Sequence, residues 1–205
     1  MTPNVEFHFD FGSPNSYFAH HVIPAIEQRT GAAFTYVPVL LGGVFKLTNN
    51  QPPMAQFKTV KNKPQYQMRE ILRFIQKHGL AKFKMNPHFP VNTVQIMRGA
   101  VAAEMDGKLA PYVEAVFACM WEDGKKMDDA EVIGAALDAA SLDGTRTLAR
   151  IQEQDVKDRL LKNTESSVAR GTFGAPTFFV GEEIFFGKDR LRDVEEEIVA
   201  AKARG

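Results

Sequence analysis

The sequence predicts an α/β fold interrupted by an all-helical insertion. Three observations carry that prediction. An alternating apolar strand opens the chain and runs into the turn Gly12-Ser13-Pro14-Asn15-Ser16. Strand patterns then return only after residue 170. Between them, from about Gln65 to Arg170, almost every segment carries helix punctuation.

Val5, Phe7, Phe9 and Phe11 alternate with Glu6, His8 and Asp10. A period of two means a strand with one strongly apolar face. Ser13 reads as a helix N-cap and Pro14 as the first helical residue, where a missing N–H costs nothing. The helix that follows carries Tyr17, Phe18, Val22, Ile23 and Ile26. Pro24 falls inside it and is expected to kink it. Gly31 closes the helix, and Phe34 to Val39 reads as a second strand. This β-α-β start favours a parallel pair with a right-handed crossover.

The stretch L-L-G-G-V-F-K-L-T-N-N-Q-P-P reads as a loop after that strand. Helices are expected from Tyr66 to His78-Gly79, from Thr93 to Met105, from Pro111 to Trp121, and from an Asp128 or Asp129 cap through Ala140. A last helical stretch runs from Thr145 or Thr147 to Val168. Thr177–Val180 and Ile184–Phe186 then form a short hairpin across Gly181-Glu182-Glu183. Lys188 or Asp189 opens the final helix, with Leu191, Val194, Ile198 and Ala201 on its apolar face. The order β-α-β, helical block, β-β-α is that of a thioredoxin-like fold with a central insertion. The expected division is 1–54 with 171–205 as the thioredoxin-like part and 55–170 as the inserted helical domain.

The chain has 205 residues and a formal net charge of +0, which argues against a general nucleic-acid or membrane-surface partner. One cysteine excludes an intrachain disulfide. The start M-T-P-N-V-E-F lacks a basic stretch followed by an apolar one, and no apolar run approaches the roughly 20 residues that span a bilayer. A soluble, cytoplasmic protein is the expectation.

The chemistry centres on Ser13. Thioredoxin-like redox proteins carry C-P-x-C after the first strand; here both sulfur positions, Ser13 and Ser16, are serine. The simplest role of Ser13 is a cap. A helix N-terminus also presents unpaired N–H groups and a positive dipole end, which favour a thiolate. With serine in place, the thiol has to come from a bound cofactor, and glutathione is the obvious soluble thiol. Pro176, in G-T-F-G-A-P-T, sits where such folds keep a cis-proline facing the active-site turn. A cis bond there would leave the Ala175 N–H and C=O free to pair with an extended peptide. Asp189 is most simply an N-cap; functionally, that helix start could take a carboxylate while Asp189 takes an ammonium, with Gly187 allowing close approach. Lys46 and Asn50 lie in the loop at the carboxyl end of a strand, where α/β sites form. Cys119 has apolar neighbours and reads as a buried thiol. His20-His21 lacks ligand spacing, so no metal site is expected.

D-F-G-S-P-N-S-Y, L-L-G-G-V-F-K-L-T-N-N-Q-P-P, F-G-A-P-T and F-F-G-K-D-R-L, in this order, resemble the 2-hydroxychromene-2-carboxylate isomerase family. The same segments resemble the related kappa-class glutathione transferases of the DsbA-like group. The resemblance spans essentially the whole chain. It implies a DsbA-like fold, a homodimer, glutathione as cofactor, and interconversion of a cyclic hemiketal with an open-chain unsaturated pyruvate in aromatic degradation. It implies Ser13 as the catalytic residue holding the thiolate. It places Ala175 and Pro176 on the cysteinyl backbone, and Lys188, Asp189, Arg190 and Leu191 around the γ-glutamyl group. Lys46 and Asn50 would face the substrate carboxylate and hydroxyl, with Phe89 and Asn92 lining the pocket. One departure stands out: position 188 is usually small and polar in this family and is lysine here. That could strengthen carboxylate binding or alter thiol preference. Two rival readings are a kappa-like transferase or peroxidase and a non-catalytic glutathione-binding module. A disulfide oxidoreductase is rejected, because neither serine can carry electrons.

Overall fold

A computed structural model describes residues 3–204. Strand β1 (Val5–Phe9) leads into helix α1 (Pro14–Thr30), strand β2 (Phe34–Pro38) and helix α2 (Leu41–Thr48). Helices α3 (Pro53–Gln56), α4 (Lys63–His78), α5 (Val94–Met105), α6 (Leu109–Trp121), α7 (Ala130–Ala139), α8 (Gly144–Arg150) and α9 (Gln154–Ala169) form the middle. Strands β3 (Thr177–Val180) and β4 (Glu183–Phe186), a 3-10 turn (Lys188–Arg190) and helix α10 (Leu191–Arg204) close the chain. The sheet order is β2-β1-β3-β4, with β1 parallel to β2 and antiparallel to β3. The parallel β-α-β start and the closing hairpin are thus as the sequence predicts. The chain has the DsbA-like thioredoxin arrangement: a mixed four-stranded sheet with a long helical block between its second and third strands.

Both faces of β1 are buried, for different reasons. Phe7 and Phe9 are fully buried; Phe7 stacks on Phe178 with centroids 5.4 Å apart, and Phe9 meets Phe117 of α6 at 5.9 Å. Each such ring contributes about 1.5–3 kcal/mol by leaving water. On the other face, alternation predicts solvent, yet His8 and Asp10 are buried. His8 meets Ser167 of α9, so a helix covers the polar side too.

Three local expectations need correction. The segment read as a loop at Leu41–Thr48 is helix α2. Its glycine pair disguises it: a Cβ on Gly43 would sit 3.1 Å from Thr164 Cγ2, so glycine lets α2 lie close on α9. The stretch read as one helix to Val168 is two, α8 and α9. Asp143 caps α8 through the Arg146 N–H at 2.8 Å, and Arg150 spans the break by pairing with Glu153 and Asp155. The final helix opens as a 3-10 turn, and Asp189 makes no capping hydrogen bond there, because its carboxylate is engaged by Lys188. Helix α1 runs through Pro24 without a break in its assignment, and Pro24 is exposed. Among the described residues, no helix is long and apolar enough to cross a membrane.

Candidate active site

Ser13 is the N-cap of the 17-residue α1, with Pro14 directly after it. Its hydroxyl oxygen accepts from the Ser16 N–H at 3.2 Å and its proton is donated to the Ala175 carbonyl at 2.9 Å. The Ala175–Pro176 bond is cis. The turn at the start of α1 and the loop before β3 therefore meet through one hydrogen bond across 162 positions of sequence. The expectation that the Ala175 carbonyl stands free is corrected: a buried carbonyl needs a donor, and the Ser13 hydroxyl supplies it. The Ala175 N–H has no protein partner among the described residues. Ser16, the second sulfur position, is buried, and its hydroxyl oxygen has no partner among the described residues.

The loop that carries Ala175 is held carbonyl by carbonyl. Phe173 O accepts from Asn50 Nδ2 at 2.8 Å, Gly174 O from the Thr177 hydroxyl at 2.8 Å, and Ala175 O from Ser13. Its first residue, Thr172, is 2.7 Å from Ser167 Oγ, which in turn lies 2.8 Å from His8 Nδ1. His8 Nε2 reaches Glu6 at 2.8 Å, and Glu6 also receives Arg170 at 2.6 Å. Burial lowers the His8 pKa, against the raising effect of the Glu6 carboxylate. This chain of polar contacts seats the loop on β1.

Asp10 is the residue sequence reasoning missed. It is fully buried, and its carboxylate accepts from Gly12 N at 2.8 Å, Leu41 N at 2.7 Å and the Thr93 hydroxyl at 3.1 Å. Burial pushes its pKa up, opposed by those three hydrogen bonds. Asp10 thereby ties together the turn before Ser13, the start of α2 and the start of α5. The short-range half of this was readable: an Asp two residues before Gly12 is an Asx-turn signal.

The residues expected to face the substrate lie on segments near the same turn. Lys46 lies on α2, exposed and with no ion pair among the described residues. Asn50 follows α2 and is committed to Phe173 O. Asn92 is exposed and accepts from Val94 N at 3.1 Å, at the start of α5. Phe89 is half-buried, 5.9 Å from Trp121, whose indole N–H donates to Phe11 O at 2.8 Å. The structure thus brings the segments bearing Lys46, Asn50, Phe89 and Asn92 to the end of β1 that carries Ser13.

The third part is the turn after β4. Gly187, at φ 95, donates its N–H to Pro176 O at 2.9 Å, which fixes this turn beside the cis-proline. Lys188 is 4% exposed, with its ammonium on the Asp189 carboxylate and 4.8 Å from the Phe74 ring centroid of α4. Arg190 pairs with Asp193, and Leu191 is buried as the first residue of α10.

These groups suit an extended thiol peptide. The Ala175 N–H is available to a strand-like ligand, and its carbonyl becomes so once the Ser13 proton turns away. The Ser13 hydroxyl can rotate its proton from a carbonyl to a thiolate. The positive end of α1 lies at the same point. No cysteine competes, since Cys119 is buried in α6 and burial raises its pKa.

Comparison with known proteins bears on the family and the fold. The model of the DSBA-like thioredoxin domain matches residues 4–199. A 2-hydroxychromene-2-carboxylate isomerase of Pseudomonas sp. (strain C18) is 28% identical over 203 residues, covering 98% of this chain and 92% of the relative. Glutathione S-transferase kappa 1 of Rattus norvegicus is 26% identical over 200 residues, covering 91% and 87%. A solved 2-hydroxychromene-2-carboxylate isomerase superposes with a TM-score of 0.80 at 25% identity, covering 98% of this chain and 96% of that one. Matched over nearly its full length, the chain with this sheet and helical insertion belongs to the DSBA-like thioredoxin domain family, and 2-hydroxychromene-2-carboxylate isomerases are among its relatives.

Proposed function

We propose that this chain is a glutathione-dependent isomerase. It interconverts hemiketals of the 2-hydroxychromene-2-carboxylate type with trans-o-hydroxybenzylidenepyruvate-type acids in aromatic-compound degradation. The observation that carries the reading is the Ser13 hydroxyl at the N-terminus of α1, bonded to Ala175 O beside cis-Pro176, with serine at both sulfur positions. Such a site can bind a thiolate and cannot itself cycle a disulfide. When bound, the cofactor supplies a nucleophilic thiolate able to add reversibly to a conjugated double bond, which frees that bond to rotate. The Ser13 hydroxyl donates a hydrogen bond to that sulfur and keeps its proton, while Ala175 pairs with the cysteinyl main chain. Asp189, Arg190 and Leu191 border the other end of the peptide. Lys46 sits where an exposed ammonium can meet the carboxylate and the developing enolate oxygen of the substrate, and Asn50, Phe89 and Asn92 flank it. A homodimer, a cytoplasmic location and an inserted domain at 55–170 belong to the same reading.

An ultraviolet assay of ring opening, run with and without glutathione, tests it. Turnover that requires glutathione and collapses in Ser13→Ala supports it; turnover equal in both proteins overturns it. The likeness to a kappa-class transferase supports a second reading, conjugation of electrophiles. Turnover of an aryl halide or hydroperoxide without isomerisation would select that reading. Thiol binding without any turnover would select a non-catalytic glutathione-binding module.

A further inference from the structure

Lys188 is the least expected residue of the site. A lysine ammonium taken out of water requires compensation by an opposite charge. Lys188 is 4% exposed, and its ion-pair partner among the described residues is its own neighbour, Asp189. The face of Phe74, 4.8 Å from the ammonium, adds a cation–π contact from the helical block. The Asp189 side chain is 72% exposed, so the carboxylate that neutralises Lys188 is also the group an arriving ligand meets. The next cation, Arg190, is already paired with Asp193 at 3.0 Å. A ligand ammonium approaching Asp189 therefore meets a carboxylate whose charge the chain has already balanced.

We propose that Lys188 is a specificity-determining residue: its ammonium takes the place on Asp189 that the α-ammonium of a γ-glutamyl group would take. The chain then gains nothing from the γ-glutamyl ammonium: it still takes glutathione, and takes at least as readily a thiol peptide that keeps the terminal carboxylate and lacks the ammonium beside it. This rests on the thiol-cofactor reading above and deepens it. The physical basis is like-charge exclusion. Two ammonium groups sharing one carboxylate, one of them held out of water, repel each other by enough to change affinity about tenfold.

Titration calorimetry with two thiols tests the inference without reference to turnover. The probes are glutathione and its deamino analogue, glutaryl-cysteinyl-glycine. The wild-type chain is expected to bind the analogue at least as tightly as glutathione. Lys188→Met keeps an unbranched stem against Phe74 and discards the charge; it is expected to swing the preference about tenfold toward glutathione. Lys188→Ser, which discards stem and charge together, should swing it the same way. The proposal is overturned if the wild type prefers glutathione tenfold, or if the ratio is the same in all three proteins. Binding of both thiols with an unmoved ratio would sink this inference alone. Binding of neither would remove the thiol-cofactor reading as well.

Discussion

The two halves of the candidate site are built on opposite principles. Around Ser13 and Ala175, groups are buried and most polar atoms are assigned, in a cap, a carbonyl, an Asx-turn and a carboxylate with three donors; the Ser16 hydroxyl and the Ala175 N–H are left over among the described residues. Around Lys46 and Asn92, side chains stand in solvent, and Lys46 has no ion pair among the described residues. The first half is over-determined and should reject change; the second is held only through its backbone. Positioning and contact are thus carried by different residues, and substitutions should separate them.

Ser13→Ala should have the largest effect. It removes the hydroxyl proposed to hold the thiolate, so kcat/KM should fall about 100-fold or more. The lost cap should also cost about 1 kcal/mol in a denaturant melt. A loss of stability with full activity would break the assignment of this half.

Asp10→Asn comes next. An amide can accept only through its oxygen and would turn an NH2 toward donors from α2 or α5. A cost of about 2 kcal/mol is expected from the mismatched bonds. Urea unfolding would measure it, and a change below measurement error would mean that Asp10 does not clip the three segments.

Lys46→Met should invert the pattern. Its exposure predicts a stability change within about 0.5 kcal/mol, while activity on an anionic substrate falls about tenfold through loss of one charge. If stability and activity fell together, the contrast between the halves would be wrong.

The smallest effect is in pH. Burial lowers the pKa of His8 and His20 below the ordinary value of 6.5. The unfolded chain then binds more protons than the folded one once pH drops below 6.5. The stability contributed by these neutral rings is present above that value and is lost as pH falls through their folded values. The Asp10 carboxyl, shifted upward by burial, acts with the opposite sign. Melting temperature should therefore decline from about pH 7 to about pH 5, and His8→Gln should shallow the decline.

Much of this molecule was legible without coordinates wherever the signal is local. Ser13 caps its helix as read, Asp129 is the cap of the two candidates Asp128 and Asp129, Gly31 and Gly79 end helices, and the strands at Val5 and Thr177 lie where they were expected. Helix α2 was misread because Gly42-Gly43 looks like a loop in isolation. Its glycine is a packing feature, and the partner, Thr164, lies far along the chain. Asp189 was misread as a cap for a similar reason: the adjacent Lys188 is driven inward, and only its burial beneath α4 shows that it claims the carboxylate.

By itself the sequence determined the strand and helix order, the serine turn without sulfur and the proline loop, because caps, periods and turn residues act over a few positions. Only the tertiary structure decided that both faces of β1 are covered. It also decided that Ser13 holds Ala175 across 162 positions and that Asp10 reaches Leu41 and Thr93 across 31 and 83. A buried polar atom takes its partner from whatever the fold lays beside it, and adjacency of that kind has no trace in local periodicity.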